Sequence, residues 1–114
     1  MNSNNKSQVL EAVTDICLEC CATQIDEQGT MSVTKDDLLG RTRVANANMT
    51  RCILITELLF MGFSVTTIAQ YLHRTEQSIR HLLDSAHQYR LSSYAYRVAE
   101  AEATLKCKEI INSD

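Results

Sequence analysis

The chain of 114 residues contains no proline and only three glycines, and each glycine follows a stretch whose apolar residues are spaced for a helix. Proline fixes φ and lacks an N–H, so its absence leaves long helices uninterrupted. Gly29 follows Val9, Leu10, Val13, Ile16, Cys17, Cys20 and Cys21; Gly40 follows Leu38 and Leu39; Gly62 follows the apolar run 53–61. Each reads as a C-terminal stop. On the start side, Thr34 precedes KDDLL with Asp37 three residues on, an acidic form of the capping box, and Ser64 and Thr75 stand where N-caps are needed. The pattern predicts an all-α, compact multi-helix domain with helices near 7–26, 35–39, 44–61, 65–72, 76–89 and 91–111. Residues 31–33 read as a short extended link, and the first few and last three residues as loose ends.

A chain of this length forms one domain over residues 1–114, since a second core would leave each half near the lower limit of about 40 to 60 residues for independent folding. Apolar residues make up 45% and charged residues 22%, which suits a folded globular protein. No apolar run approaches the roughly 18 residues of a membrane span. The start, MNSNNKSQ, has no signal-peptide apolar block, and a cytoplasmic location is expected. Cys17, Cys20, Cys21, Cys52 and Cys107 form an odd set, expected as reduced thiols on buried helical faces. The C-x-x-C-C cluster lacks a second ligand pair at metal spacing, so neither a metal nor a cofactor is expected.

The segment SVTTIAQYLHRTEQSIRHLLDSAHQ, residues 64–88, carries the apolar spacing of a helix-turn-helix. Counted from Val65, the residues Ile68, Ala69, Leu72, Ile79 and Leu82 fall where two helices crossing steeply around a short turn need apolar or small side chains. With the second helix starting near Glu76, Ile79, Leu82, Leu83 and Ala86 face the core. Glu76, Gln77, Arg80, His81 and Asp84 are left toward solvent. Gln77 can pair with adenine, Arg80 with guanine, and Glu76 can accept from a cytosine amino group, with Arg80 the first choice for a base contact. Thr66 and Thr67 open the supporting helix, where hydroxyls and backbone N–H groups can hold a phosphate.

Net charge is −3, but it divides unevenly. Residues 1–40 hold two bases against seven acids (−5), residues 41–97 seven arginines against three acids (+4), and residues 98–114 two bases against four acids (−2). The basic segment contains the helix-turn-helix pattern. Arg41 and Arg43 flank Thr42 in a loop after Gly40, and Arg74 sits in the turn; all three are candidate phosphate contacts. Tyr71 is expected as half-buried packing.

VTKDDLL, the basic loop GRTR, the long helix ending in ITELLFMGFS, and then TTIAQYL and RTEQSIRHLL follow one another in an order that resembles the C-terminal DNA-binding domain of the bacterial replication initiator, a Trp-repressor-like helical fold. The resemblance covers about residues 33–86. It implies duplex DNA as ligand and assigns DNA contacts to Arg41, Arg43, Arg74, Thr75, Glu76, Gln77 and Ser78. The family's Gly-Arg-Asp-His-Thr-Thr turn is represented here by His73 to Ser78 without its Gly, Asp and His, so the initiator's own target sequence is not implied. No phosphate-binding loop is present, and ATPase activity is not expected. The turn length is similar as well to that of two-component response regulators and of sigma-factor C-terminal regions.

The expected function is double-stranded DNA binding by a small transcriptional regulator. The alternative is a protein–protein interaction module on the same scaffold, suggested by the acidic ends and by the absence of lysine between Thr50 and Leu105. No catalytic signature is present, and the chain is not expected to be an enzyme. A homodimer through a terminal helix is expected, because one recognition helix covers few base pairs. In the last helix Leu91, Tyr94, Val98, Ala101 and Leu105 form a stripe able to pack inward or to pair with another chain; packing inward is the expectation.

Overall fold

The computed structural model describes residues 3–24, 33–41 and 45–112. Among these there is no strand, and the helices run in order α1 (Ser3–Gln24), α2 (Lys35–Leu39), α3 (Ala45–Phe60), α4 (Val65–Leu72), α5 (Glu76–Ser92) and α6 (Tyr94–Asn112). None is long and apolar enough to cross a membrane. Gly29 and residues 31 and 32 of the expected link lie outside the described residues.

Local chemistry fixes the helix ends where the sequence places them. Thr34 Oγ1 accepts from the Asp37 N–H at 3.1 Å while Asp37 Oδ2 accepts from the Thr34 N–H at 2.9 Å, closing the capping box of α2. Ser64 caps α4 through the Thr67 N–H, and Thr75 caps α5 through the Ser78 N–H, both at 3.1 Å. Gly62 ends α3 at φ 101°, with the Phe63 N–H on the Leu58 carbonyl and the Gly62 N–H on that of Leu59, the paired closure that needs a left-handed residue. Gly40 serves differently. Its φ of −87° is open to any residue, but a Cβ there would lie 3.0 Å from the Asp36 carbonyl oxygen.

The ends differ from expectation in two places. Residues 3–6 are helical, one turn before the expected start. The break between the last two helices falls at Ser93 rather than Arg90. The Ser93 N–H closes α5 on the Tyr89 carbonyl at 2.8 Å and its hydroxyl accepts from the Tyr96 N–H at 3.1 Å, so one residue ends α5 and begins α6.

Helix α3 lies at the centre, with Cys52, Ile53, Leu54, Ile55 and Leu58 all fully buried. It meets α1, α5 and α6. Helices α1 and α6 pack along each other, and Leu10, Val13, Cys17, Cys20 and Cys21 of the first and Tyr96, Ala99, Ala103 and Cys107 of the second are buried in the core. All five cysteines are buried and free, and burial pushes the Cys21, Cys52 and Cys107 thiols up to about 12. They act as small apolar residues.

The stripe of α6 expected to pack inward points outward instead. Tyr94 is 75% exposed and Leu105 65%, with Leu91 at 69% just before the break and Ala101 exposed beside them. Helix α6 has apolar residues on two opposite faces, and the smaller set wins the core, because Ala99 and Ala103 let α1 approach closely.

Candidate nucleic-acid interface

Helices α4 and α5 meet through the side chains that the spacing marks out. Ile68, Ala69 and Leu72 of α4 and Ile79, Leu82 and Ala86 of α5 are buried, with Leu83 partly buried against them. The turn between them closes on His73, which takes φ 56°, ψ 45° without being glycine. The His73 N–H reaches the Gln70 carbonyl and the Arg74 N–H that of Ala69 at 2.9 Å, repeating the closure made by Gly62 at the end of α3. A left-handed residue with a Cβ costs about 1 kcal/mol relative to the right-handed helix. The sharp turn between α4 and α5 is held at that cost.

Glu76, Gln77, Arg80, His81 and Asp84 are all exposed, and Ser78 is half-buried beside Thr75. Three of the expected contact residues are brought together: Glu76 Oε2 accepts from the Thr66 hydroxyl at 3.1 Å and Glu76 Oε1 pairs with Arg80 at 3.5 Å. A carboxylate in the first turn of α5 suits the helix dipole. The exposed ion pair is weak enough for Arg80 to exchange it for another acceptor. The Thr67 hydroxyl accepts from Ser64 at 3.0 Å.

Beside this face runs an open groove of about 1130 Å³. Leu39, Gly40 and Arg41 form one wall; Ala45, Asn48 and Arg51 of α3 the floor; Gln70, His73, Arg74, Thr75 and Ser78 the other wall. Leu82 and Tyr89 of α5 complete it, and no acidic residue is among these lining positions. Asn48 Nδ2 donates to the Tyr89 hydroxyl at 3.0 Å, tying the floor to α5.

The arginines of the groove have unequal freedom. Arg41 is exposed. Arg74, expected on a phosphate, turns its guanidinium onto backbone: Nη1 donates to the Leu38 and Leu72 carbonyls at 3.2 and 3.1 Å, and Nη2 to that of Gly40 at 2.8 Å. Arg51 joins it, with Nε on the Leu38 carbonyl at 3.0 Å and Nη2 on those of Asp37 and Gly40. The last carbonyls of a helix lack intrahelical partners and carry partial negative charge, so two cations here stabilise the end of the five-residue α2. Burial pulls both guanidinium groups below their ordinary value, and for Arg74 the charge of Arg41 adds to this. Arg43 and Thr42 lie outside the described residues.

Arg51 is a structural residue that the charge count misplaces. It is 2% exposed, so the +4 of its segment overstates the charge shown to solvent. A signal was present, since Arg51 lies on the helical stripe of Ala47, Leu54 and Leu58. Tyr71 is half-buried, as expected, and its hydroxyl shares a 2.7 Å hydrogen bond with buried Thr14 of α1. Among the described residues no group of histidines, cysteines and carboxylates is arranged to hold a metal ion.

Comparison with protein-family models, curated proteins and solved structures gave no match.

Proposed function

We propose that the protein binds double-stranded DNA, with α4, the turn and α5 acting as a helix-turn-helix and the first turns of α5 entering the major groove. One observation carries this reading: the outward face of α5 is wholly polar over Glu76–Asp84 and lies beside a groove lined by arginines and by no acid. A protein surface meeting DNA needs donors and acceptors for base edges flanked by cations for phosphates. Gln77, Arg80 and His81 supply the first. Arg41 and Arg43 supply the second, and the hydroxyls of Thr66, Thr67, Thr75 and Ser78 add neutral hydrogen bonds to phosphate. Arg74 shapes the wall and adds its charge without leaving the backbone carbonyls. The resemblance of residues 33–86 to the replication initiator's DNA-binding domain supports the same ligand, and regulation of transcription in the cytoplasm is the role such a small binder fits.

A second reading is favoured by the fate of the arginines. Arg51 and Arg74 hold backbone, and Arg90 is paired with Glu100, so much of the basic segment's charge serves the fold. A module presenting α5 to a protein partner would need no more than remains.

Fluorescence anisotropy with random-sequence duplex DNA over a salt series separates the two. DNA binding predicts affinity that falls as salt rises, with the slope reduced by about one for each of Arg41→Ala and Arg43→Ala. Absence of binding at low salt would favour the protein partner.

A further inference from the structure

We infer that the outer face of α6 is a self-association surface that takes α6 of a second copy of the chain, the two helices running parallel. Tyr94, Val98, Ala101 and Leu105 recur at spacings of four, three and four, the seam of a two-stranded coiled coil, and three of them are exposed on the side opposite the helix's own core contacts. The extended backbone at Ser93 starts the seam at Tyr94, and Lys108 ends it. The helix is already held by α1 and α3, so pairing does not carry the cost of folding it.

The residues flanking the seam choose the occupant and its direction. Arg97 lies along one edge and Glu102 along the other. When two copies run parallel, a residue on one edge stands across from the partner's residue five positions later on the opposite edge, so Arg97 of each copy meets Glu102 of the other. The symmetric pair therefore gains two cross-chain charge contacts. In an antiparallel pair like edges meet, which sets Arg97 against its own edge and Glu102 against Glu102 or Glu109. The Arg97 guanidinium stands 5.8 Å over the Tyr94 ring and donates through Nη1 to the Arg90 carbonyl at 2.7 Å, which holds its charge at the start of the seam. With a seam this short the affinity falls in the micromolar range.

The inference does not rest on DNA binding and is tested without DNA. Sedimentation equilibrium from low to high micromolar concentration should show monomers becoming dimers. Leu105→Glu should hold the chain monomeric with unchanged helix content, since residue 105 is exposed. Arg97→Glu should weaken pairing about tenfold. The double variant Arg97→Glu with Glu102→Arg should restore it. Tyr94→Cys, in a chain whose own cysteines are buried, should form an intermolecular disulfide across the axis under mild oxidation. A chain that stays monomeric at every concentration overturns the proposal, as does a dimer indifferent to Leu105→Glu. Cross-linking of Tyr94→Cys only to Leu105→Cys in a mixture overturns the parallel arrangement.

Discussion

The outward sides of α5 and α6 are joined through the single residue Ser93, yet they present opposite chemistry to solvent. Helix α5 displays Gln77, Arg80, His81 and Asp84; α6 displays Tyr94, Ala101 and Leu105 between Arg97 and Glu102. On α5 the apolar residues Ile79, Leu82 and Ala86 lie on one face, and that face is buried; Leu91 is exposed only at the helix's end. On α6 the apolar residues occupy two faces, and only Tyr96, Ala99, Ala103 and Cys107 are covered by the chain's own core. A polar face beside arginines fits a hydrated, charged ligand, whereas an apolar seam with charged edges fits another helix. Two adjacent helices thus suit two different partners.

Arg90 fixes the angle between these faces, and its loss gives the largest expected effect. Its Nε and Nη2 donate to the two carboxylate oxygens of Glu100 at 2.7 and 3.0 Å, and Nη2 also reaches the Thr56 hydroxyl at 3.2 Å. Arg90→Ala leaves the mostly buried Glu100 carboxylate unpaired and should destabilise the fold by about 2 kcal/mol in urea unfolding. The next effect separates the faces. Arg80→Ala should cost about 1.5 kcal/mol of DNA affinity at a preferred site while leaving the sedimentation behaviour unchanged; Leu105→Glu should change sedimentation and leave the folded monomer intact. Either variant acting on both readouts would break the separation.

A smaller gain is expected at the turn. His73→Gly removes the left-handed Cβ and should raise stability by about 1 kcal/mol, read as a higher urea midpoint at unchanged slope. The smallest effect lies under α6. Glu57 is 2% exposed; its Oε2 accepts from the Thr104 hydroxyl at 2.8 Å, while Oε1 is buried without a hydrogen-bond partner among the described residues. Burial raises the Glu57 carboxyl above its ordinary value, against the smaller opposing effect of Thr104. A carboxyl raised in the folded state takes up a proton on folding. Its burial therefore opposes folding least in acid, below the ordinary carboxylate range, and most above the raised value. Glu57→Gln should raise the melting temperature at neutral pH by a few degrees and leave it unchanged in acid.

Most helix boundaries were legible because caps and stops act within a few residues: Thr34 with Asp37, Ser64, Thr75 and Gly62 all do what their chemistry dictates. The inward face of α5 was legible because only one face is apolar. For Arg51 the helical stripe marked the inward face but not the backbone carbonyls that the charge would meet there, and for Glu57 nothing local announced the threonine that draws it inward. Nor was the direction of α6 legible, since it depends on α1 choosing small residues over large ones. The turn at His73 was hidden because a left-handed residue is ordinarily announced by glycine. In the candidate interface, Glu76, Gln77, Arg80, His81 and Asp84 stand on the surface as the helical period predicts, but the commitment of Arg74 to three carbonyls depends on where α2 ends.

The most direct test of DNA binding through α5 follows backbone amide chemical shifts by NMR as a short duplex is added. Binding through α5 predicts shifts that grow with DNA at Thr66, Thr67, Gln77, Arg80 and His81 and along the Gly40–Arg41 wall, with the outer face of α6 unmoved at a fixed dimer fraction. An unchanged spectrum, or shifts confined to Leu91, Tyr94 and Leu105, would contradict it.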